Sequence, residues 1–119
     1  MIRILFVDDD AFVRKALRRL LVTSDLGWHS AFAESGQQAL EMLADESYDV
    51  IVSDIRMPGM DGAELLTRVA SQYPKMTRII LSGQSEQDAF ERATEHAQHY
   101  LPKPCSLTQL EEAIMAHHS

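Results

Sequence analysis

The feature that most constrains this 119-residue sequence is an alternation running its whole length. Five short apolar runs take turns with longer amphipathic segments, and no repeat, low-complexity tract or Pro/Gly/Ser-rich linker interrupts them. The runs cover residues 2–7 (Ile-Arg-Ile-Leu-Phe-Val), 28–33, 50–52, 79–81 and 99–101. Each is short and rich in β-formers, the signature of a strand. Between the runs, apolar residues recur at helical spacing. Residues 11–22 place Phe12, Val13, Ala16, Leu17, Leu20 and Leu21 on one face, with Arg14, Lys15, Arg18 and Arg19 opposite. Ser35-Gly36-Gln37-Gln38 has the form of a capping box and opens a helix carrying Ala39, Leu40, Met42 and Leu43. Asp61 can cap a third helix over residues 62–72, stopped by Tyr73-Pro74. Residues 85–97 predict a fourth helix, the least apolar of the five, and residues 106–116 the last.

Strands alternating with helices of about ten residues imply βαβ units, hence a parallel sheet covered on both faces. The expectation is one α/β domain over residues 1–119: a doubly wound, flavodoxin-like fold of five strands and five helices. The strand order 2-1-3-4-5 follows by analogy with that fold, since periodicity does not deliver it. In such sheets the ligand site lies beyond the carboxyl ends of the strands, near the switch point between strands 1 and 3. Chemistry is therefore expected just after the first, third, fourth and fifth runs.

Polar residues stand at those places. Asp8, Asp9 and Asp10 follow the first run, Asp54 closes the third, Ser82 and Gly83 follow the fourth, and Lys103 follows the fifth. Carboxylates brought together repel, and a hard divalent cation removes the conflict. Aspartates without His or Cys nearby favour Mg²⁺, with Mn²⁺ as the alternative ion, over Zn²⁺. One helix cap, the role expected of Asp10, does not need three aspartates. Asp54 alone reads as a turn residue ahead of Met57-Pro58-Gly59, Ser82 as a turn residue, and Tyr100 as a β-former on an edge strand. Together the strand-end residues read differently. A carboxylate beside Mg²⁺ can attack phosphorus to give an acyl phosphate, while the metal, a lysine and a hydroxyl hold the phosphoryl oxygens.

Composition narrows the setting. The net charge of -7 argues against a general nucleic-acid-binding face. No stretch approaches the roughly 20 apolar residues that a membrane span requires. The single Cys105 has no partner for an internal disulfide, which suits a reducing, cytoplasmic location. His96, His99, His117 and His118 read as solvated positions, and Met42, Met57, Met60 and Met115 as core or loop packing.

Four blocks carry a family resemblance: Phe6-Val7-Asp8-Asp9-Asp10, residues 52–62 (Val-Ser-Asp-Ile-Arg-Met-Pro-Gly-Met-Asp-Gly), Ile80-Leu81-Ser82-Gly83 and Tyr100-Leu101-Pro102-Lys103-Pro104. In this order, over essentially the whole chain, they resemble response-regulator receiver domains of two-component signalling. The resemblance implies that Asp54 accepts phosphate from a phosphohistidine on a sensor histidine kinase or phosphotransfer protein. It implies that Asp8, Asp9, Asp54 and the backbone carbonyl of Arg56 hold Mg²⁺, and that Lys103 contacts the phosphoryl group. Lys103–Pro104 would be a cis peptide. Ser82 would be the switch hydroxyl, where threonine is equally familiar, with Tyr100 the aromatic coupled to it. Switching would move the face made by the fourth helix, fifth strand and fifth helix, acting on an output domain or protein target and allowing a phosphorylation-dependent homodimer. Residues 81–84 and 99–105 resemble receivers attached to HD-type phosphohydrolase-like domains. Such a module is not an enzyme beyond its own phosphorylation and dephosphorylation. The rival reading is an acid-nucleophile phosphatase, which wants a second aspartate two residues after a nucleophile closing strand 1; here the strand-1 acids are contiguous. A purely structural pseudo-receiver gains no support, because all the expected side chains are present.

Overall fold

A computed structural model describes residues 2–24, 26–82, 97, 99–103 and 105–116. The five apolar runs become β1 (Arg3–Val7), β2 (His29–Ala33), β3 (Val50–Asp54), β4 (Thr77–Ser82) and β5 (His99–Pro102). They form one parallel sheet in the order β2-β1-β3-β4-β5, as expected. The described helices are α1 (Ala11–Val22), α2 (Gly36–Asp45), α3 (Gly62–Gln72) and α4 (Leu107–Met115). The helix predicted over residues 85–97 lies, Ala97 apart, outside the described residues.

Alternate strand residues feed two separate cores. Leu5, Val7, Ile51 and Ile80 join Leu43 of α2 and Leu65, Leu66 and Val69 of α3. Ile4, Phe6, Val50, Val52, Ile79 and Leu81 join Leu17 of α1 and Leu110 and Ile114 of α4. A central strand with helices on both faces is apolar along most of its length, which is why β1 and β3 read as near-continuous runs apart from Arg3, Ser53 and Asp54. Phe6 and Phe32 stack across β1 and β2 with ring centroids 5.2 Å apart.

The helix starts follow the caps expected from sequence. Asp10 caps α1 by accepting from Phe12 N, and Asp61 caps α3 by accepting from Glu64 N, each at 2.8 Å. Ser35 accepts from Gln38 N, but Gln38 Oε1 turns to the backbone N–H of Glu34, one residue short of a reciprocal box. The complete capping box is at α4, between Ser106 and Gln109.

One expectation for α1 fails. Phe12 is 82% exposed and Ala16 is exposed, while Val13, Leu17, Leu20 and Leu21 pack on the sheet. At about 100° per residue, Phe12 and Ala16 fall one step behind Val13 and Leu17 on the helix wheel, outside the arc that meets the strands.

Candidate functional site

The sheet's period of two brings the acids together. Ile4, Phe6 and Asp8 share one side of β1 and its extension, and Val50, Val52 and Asp54 share the same side of β3, with Phe6 in register with Val52. Leu101 belongs to the same core and precedes Lys103 by two residues. At the carboxyl ends of β1, β3 and β5 the apolar series therefore gives way to Asp8, Asp54 and Lys103. The turn after β1 adds Asp9. One carboxylate oxygen from each of Asp8, Asp9 and Asp54 lies within 4.8 Å of the others; Asp8 and Asp54 are buried and Asp9 is exposed.

Lys103 bridges the buried pair. Its Nζ is 2.6 Å from Asp54 Oδ1 and 3.3 Å from Asp8 Oδ2. Burial by itself lowers the Lys103 pKa, but the hydrogen bond and charge of Asp54 and the charge of Asp8 outweigh it, so the net shift is upward. Asp54 Oδ1 also accepts from Ile55 N at 2.8 Å. Asp8 Oδ1 accepts from Asp10 N at 2.9 Å. Its Oδ2 faces Lys103 as an ion pair without hydrogen-bond alignment, leaving a buried oxygen that lacks a hydrogen-bond donor. Burial is the main force raising the Asp8 pKa; the Asp10 N–H and the Lys103 charge pull it down, and Asp9 pushes it up.

This donor set fits a hard divalent cation. It consists of oxygens alone, it gathers more negative charge than one lysine balances, and one buried oxygen lacks a donor.

The loop leaving Asp54 is fixed by packing. Gly62 N donates to Ile55 O at 2.7 Å, closing residues 55–62 into a compact turn, and Met57 is buried beneath it. Gly59 takes φ +75°, a left-handed conformation suited to glycine. A Cβ at Gly62 would overlap the carbonyl oxygen of Asp54 and come within 2.9 Å of Ile55 Cα. One at Gly36 would meet Met60 Sδ at 2.9 Å, so α2 packs against this loop as well. In the sequence Gly62 stands only as the last residue of the 52–62 block and the first of the third helix. Its requirement for glycine arises from a backbone contact that no local pattern records.

Arg14 beside the site is placed differently by the sequence and by the structure. Helical periodicity puts it on the polar face of α1, yet its side chain is only 14% exposed. Nη1 donates to the carbonyl of Asp8 at 2.8 Å and Nη2 meets Glu34 Oε1 at 3.2 Å. The position is at the edge of the buried arc, next to Leu21 on the helix wheel, and its long side chain reaches back over the first turn.

The other sequence-derived positions are less fully defined. Arg56 is exposed in the loop after Asp54. Ser82 ends β4, in register with Pro102, but its side chain lies outside what the structure describes. Tyr100 stands on β5 in register with Ile80 and is 43% exposed. Pro104, and with it the expected cis peptide, lies outside the described residues, as do Gly83 and Gln84. Among the described residues, a cavity of about 530 Å³ lies at the opposite end of the sheet, lined by residues 43–49 and 73–76.

With this geometry in hand, comparison with known proteins is consistent. The model of the response regulator receiver domain family matches residues 4–115. The DNA-binding transcriptional regulator NtrC of Escherichia coli K12 is 39% identical over 116 residues, covering 94% of this chain and 24% of NtrC. The chain thus spans about a quarter of the length of that curated relative. The crystal structure of the signal receiver domain of an HD domain-containing protein from Pseudomonas fluorescens Pf-5 is 32% identical. It superposes with a TM-score of 0.87 over 98% of this chain and 89% of that one. The response regulator protein TrrA of Thermotoga maritima, solved in complex with Mg²⁺-BeF, is 27% identical with a TM-score of 0.85, covering 98% of this chain and 99% of that one.

Proposed function

The chain belongs to the response regulator receiver domain family, and on that premise we propose that it is a phosphoacceptor switch with Asp54 as the acceptor. One observation carries this reading: at the carboxyl end of the sheet, the carboxylates of Asp8, Asp9 and Asp54 meet, and the Lys103 ammonium lies 2.6 Å from Asp54 Oδ1.

Asp8, Asp9 and Asp54, with the backbone carbonyl of Arg56, would hold Mg²⁺, or Mn²⁺ in its place. The ion supplies charge that lets the three acids stay ionised together and draws electron density from phosphoryl oxygens. The Asp54 carboxylate attacks the phosphorus of a phosphohistidine on a sensor histidine kinase or phosphotransfer protein. An O–P bond forms as the N–P bond breaks, and the departing imidazole takes up a proton. Lys103 Nζ exchanges its Asp54 contact for a phosphoryl oxygen. The Ser82 hydroxyl moves to another, and Tyr100 follows it. The pairing of Ile80 with Tyr100 and of Ser82 with Pro102 supports such coupling, because displacement at the end of β4 is felt along β5.

Phosphorylation adds roughly -1.5 to -2 charge and three acceptor oxygens, and that change drives the switch of the face around β5 and α4. The module is a cytoplasmic signalling domain, catalysing only its own phosphorylation and dephosphorylation, and is not itself a nucleic-acid or membrane binder. Among the described residues, no helix is long and apolar enough to cross a membrane. The switched face acts on an output domain or a protein target, or on a second copy as a phosphorylation-dependent homodimer. An HD-type phosphohydrolase-like output has the support of the wording of residues 81–84 and 99–105 and of the likeness to the Pseudomonas receiver.

Incubation with acetyl phosphate and MgCl₂, read by intact mass, tests the reading. The wild type should gain one hydroxylamine-sensitive phosphoryl group and Asp54→Ala none. A label that persists in Asp54→Ala would identify another acceptor, and steady turnover of a phosphomonoester would favour a hydrolase instead.

A further inference from the structure

We propose that Arg14 is a positioning residue for the acidic site: its guanidinium, held between the carbonyl of Asp8 and the carboxylate of Glu34, fixes the turn that aims Asp8 and Asp9 at a common cation. The inference rests on the metal reading above and adds to it a residue with no carboxylate to offer.

The carbonyl that Arg14 holds belongs to the peptide unit joining Asp8 to Asp9. A trans peptide is a rigid plane with the two Cα atoms at its ends. A donor 2.8 Å from that carbonyl therefore restrains ψ of Asp8, and with it the direction in which the chain carries Asp9 away from Asp8. Left alone, three carboxylates with oxygens within 4.8 Å would push this turn open. The backbone N–H of Arg14 donates to Asp10 O at 3.1 Å, the first helical bond of α1, so the helix that carries the guanidinium starts directly after this turn.

Glu34 anchors the clamp to the sheet. It follows Ala33, whose carbonyl accepts from Asp8 N at 3.1 Å, and its own N–H donates to Gln38 Oε1 at 2.6 Å. The Asp8–Asp9 turn is thus tied to the end of β2 through the Asp8 N–H and again through Arg14. The other basic residues of α1, Lys15, Arg18 and Arg19, are exposed, and the ring beneath the Arg18 guanidinium is Phe32, 4.5 Å away. Arg14 has been drawn inward at the cost of hydration, as a residue with a positional task would be.

A charge-only role makes the opposite prediction. A guanidinium near a cation site repels the cation, so neutralising it would tighten binding. Loss of a positioning contact weakens binding, typically by 10- to 100-fold for groups that orient metal ligands. The full chain should therefore be titrated with MgCl₂ by calorimetry, without phosphodonor, alongside thermal unfolding of the metal-free protein. Arg14→Gln should weaken Mg²⁺ binding about tenfold or more. Arg14→Lys, which keeps the charge but loses the two-armed geometry, should weaken it less. Glu34→Gln, which keeps the Arg14–Asp8 hydrogen bond, should lose a few-fold.

Unchanged or tighter binding in Arg14→Gln overturns the proposal, and a fall in melting temperature with unchanged affinity reduces Arg14 to a structural role. If Arg14→Gln does not fold, Arg14→Lys and Glu34→Gln decide, and wild-type affinity in both overturns the proposal. Absence of Mg²⁺ binding by the wild type overturns the metal reading together with this one, whereas binding by the wild type with indifferent variants overturns this one alone.

Discussion

Asp8 shows the conflict built into the site. Its carboxylate is 1% exposed, one oxygen lacks a hydrogen-bond donor, and burial drives its pKa upward. A carboxyl whose pKa is raised by folding contributes stability below its unfolded value, and that contribution is lost as pH rises through the higher folded value. Lys103, 3.3 Å away, offsets the cost of burying the charged form only in part, so a further cation would relieve the rest. Asp8→Asn keeps an oxygen for the Asp10 N–H while removing the charge. It should raise the melting temperature of the metal-free protein by removing a buried charge that Asp9 also repels. The same variant should lose most of the added stability that Mg²⁺ gives the wild type. Thermal unfolding with and without MgCl₂ checks both, and a lower metal-free melting temperature would contradict the account.

Among the elements, the segment from Asp54 to the start of α3 sets the site's precision. The Gly62 N–H to Ile55 O bond, the buried Met57 and the Met60–Gly36 contact hold the chain close behind the Asp54 carboxylate. Two glycines in this segment are needed for different reasons. Gly59 has open space around its Cβ position but a left-handed φ, so Gly59→Ala should cost about 1–2 kcal/mol. Gly62→Ala sets a methyl group against backbone atoms of Asp54 and Ile55, which cannot swing aside. It should cost at least the 1–3 kcal/mol typical of overpacking and displace Asp54. Urea unfolding should rank Gly62→Ala below Gly59→Ala, and acetyl phosphate labelling should fall further in the former.

At the scale of the molecule, site and stability are linked. A cation that binds the folded chain alone stabilises it by about 2.7 kcal/mol at 100 times its Kd. The acids that would bind it come from separate strands, so the unfolded chain has no equivalent site. The melting temperature should accordingly rise by several degrees with added MgCl₂, in a saturable way, and far less with an equal ionic strength of NaCl. Equal effects of the two salts would point to screening instead of a site. The doubly wound arrangement makes this possible: two cores hold the strands in register while their carboxyl ends stay open for chemistry.

The sequence by itself determined what depends on near neighbours. Strand and helix periods, the caps at Asp10 and Asp61, and the appearance of Asp8, Asp54 and Lys103 where apolar strands end are all local patterns. Those patterns made most of the candidate site legible before any fold was known. Tertiary structure decided the rest. Strand order was an analogy until β1 was seen paired between β2 and β3, because pairing is chosen by long-range contacts. Phe12 was assigned to the core and Arg14 to solvent, and the packing reversed both, since the helix wheel does not state where the buried arc ends. Nor could any window of sequence show that Gly62 leaves room for the carbonyl of Asp54, or that Lys103 reaches both Asp8 and Asp54. Those contacts join groups far apart along the chain, and only the closed sheet, by fixing strand register, sets the distances on which their chemistry depends.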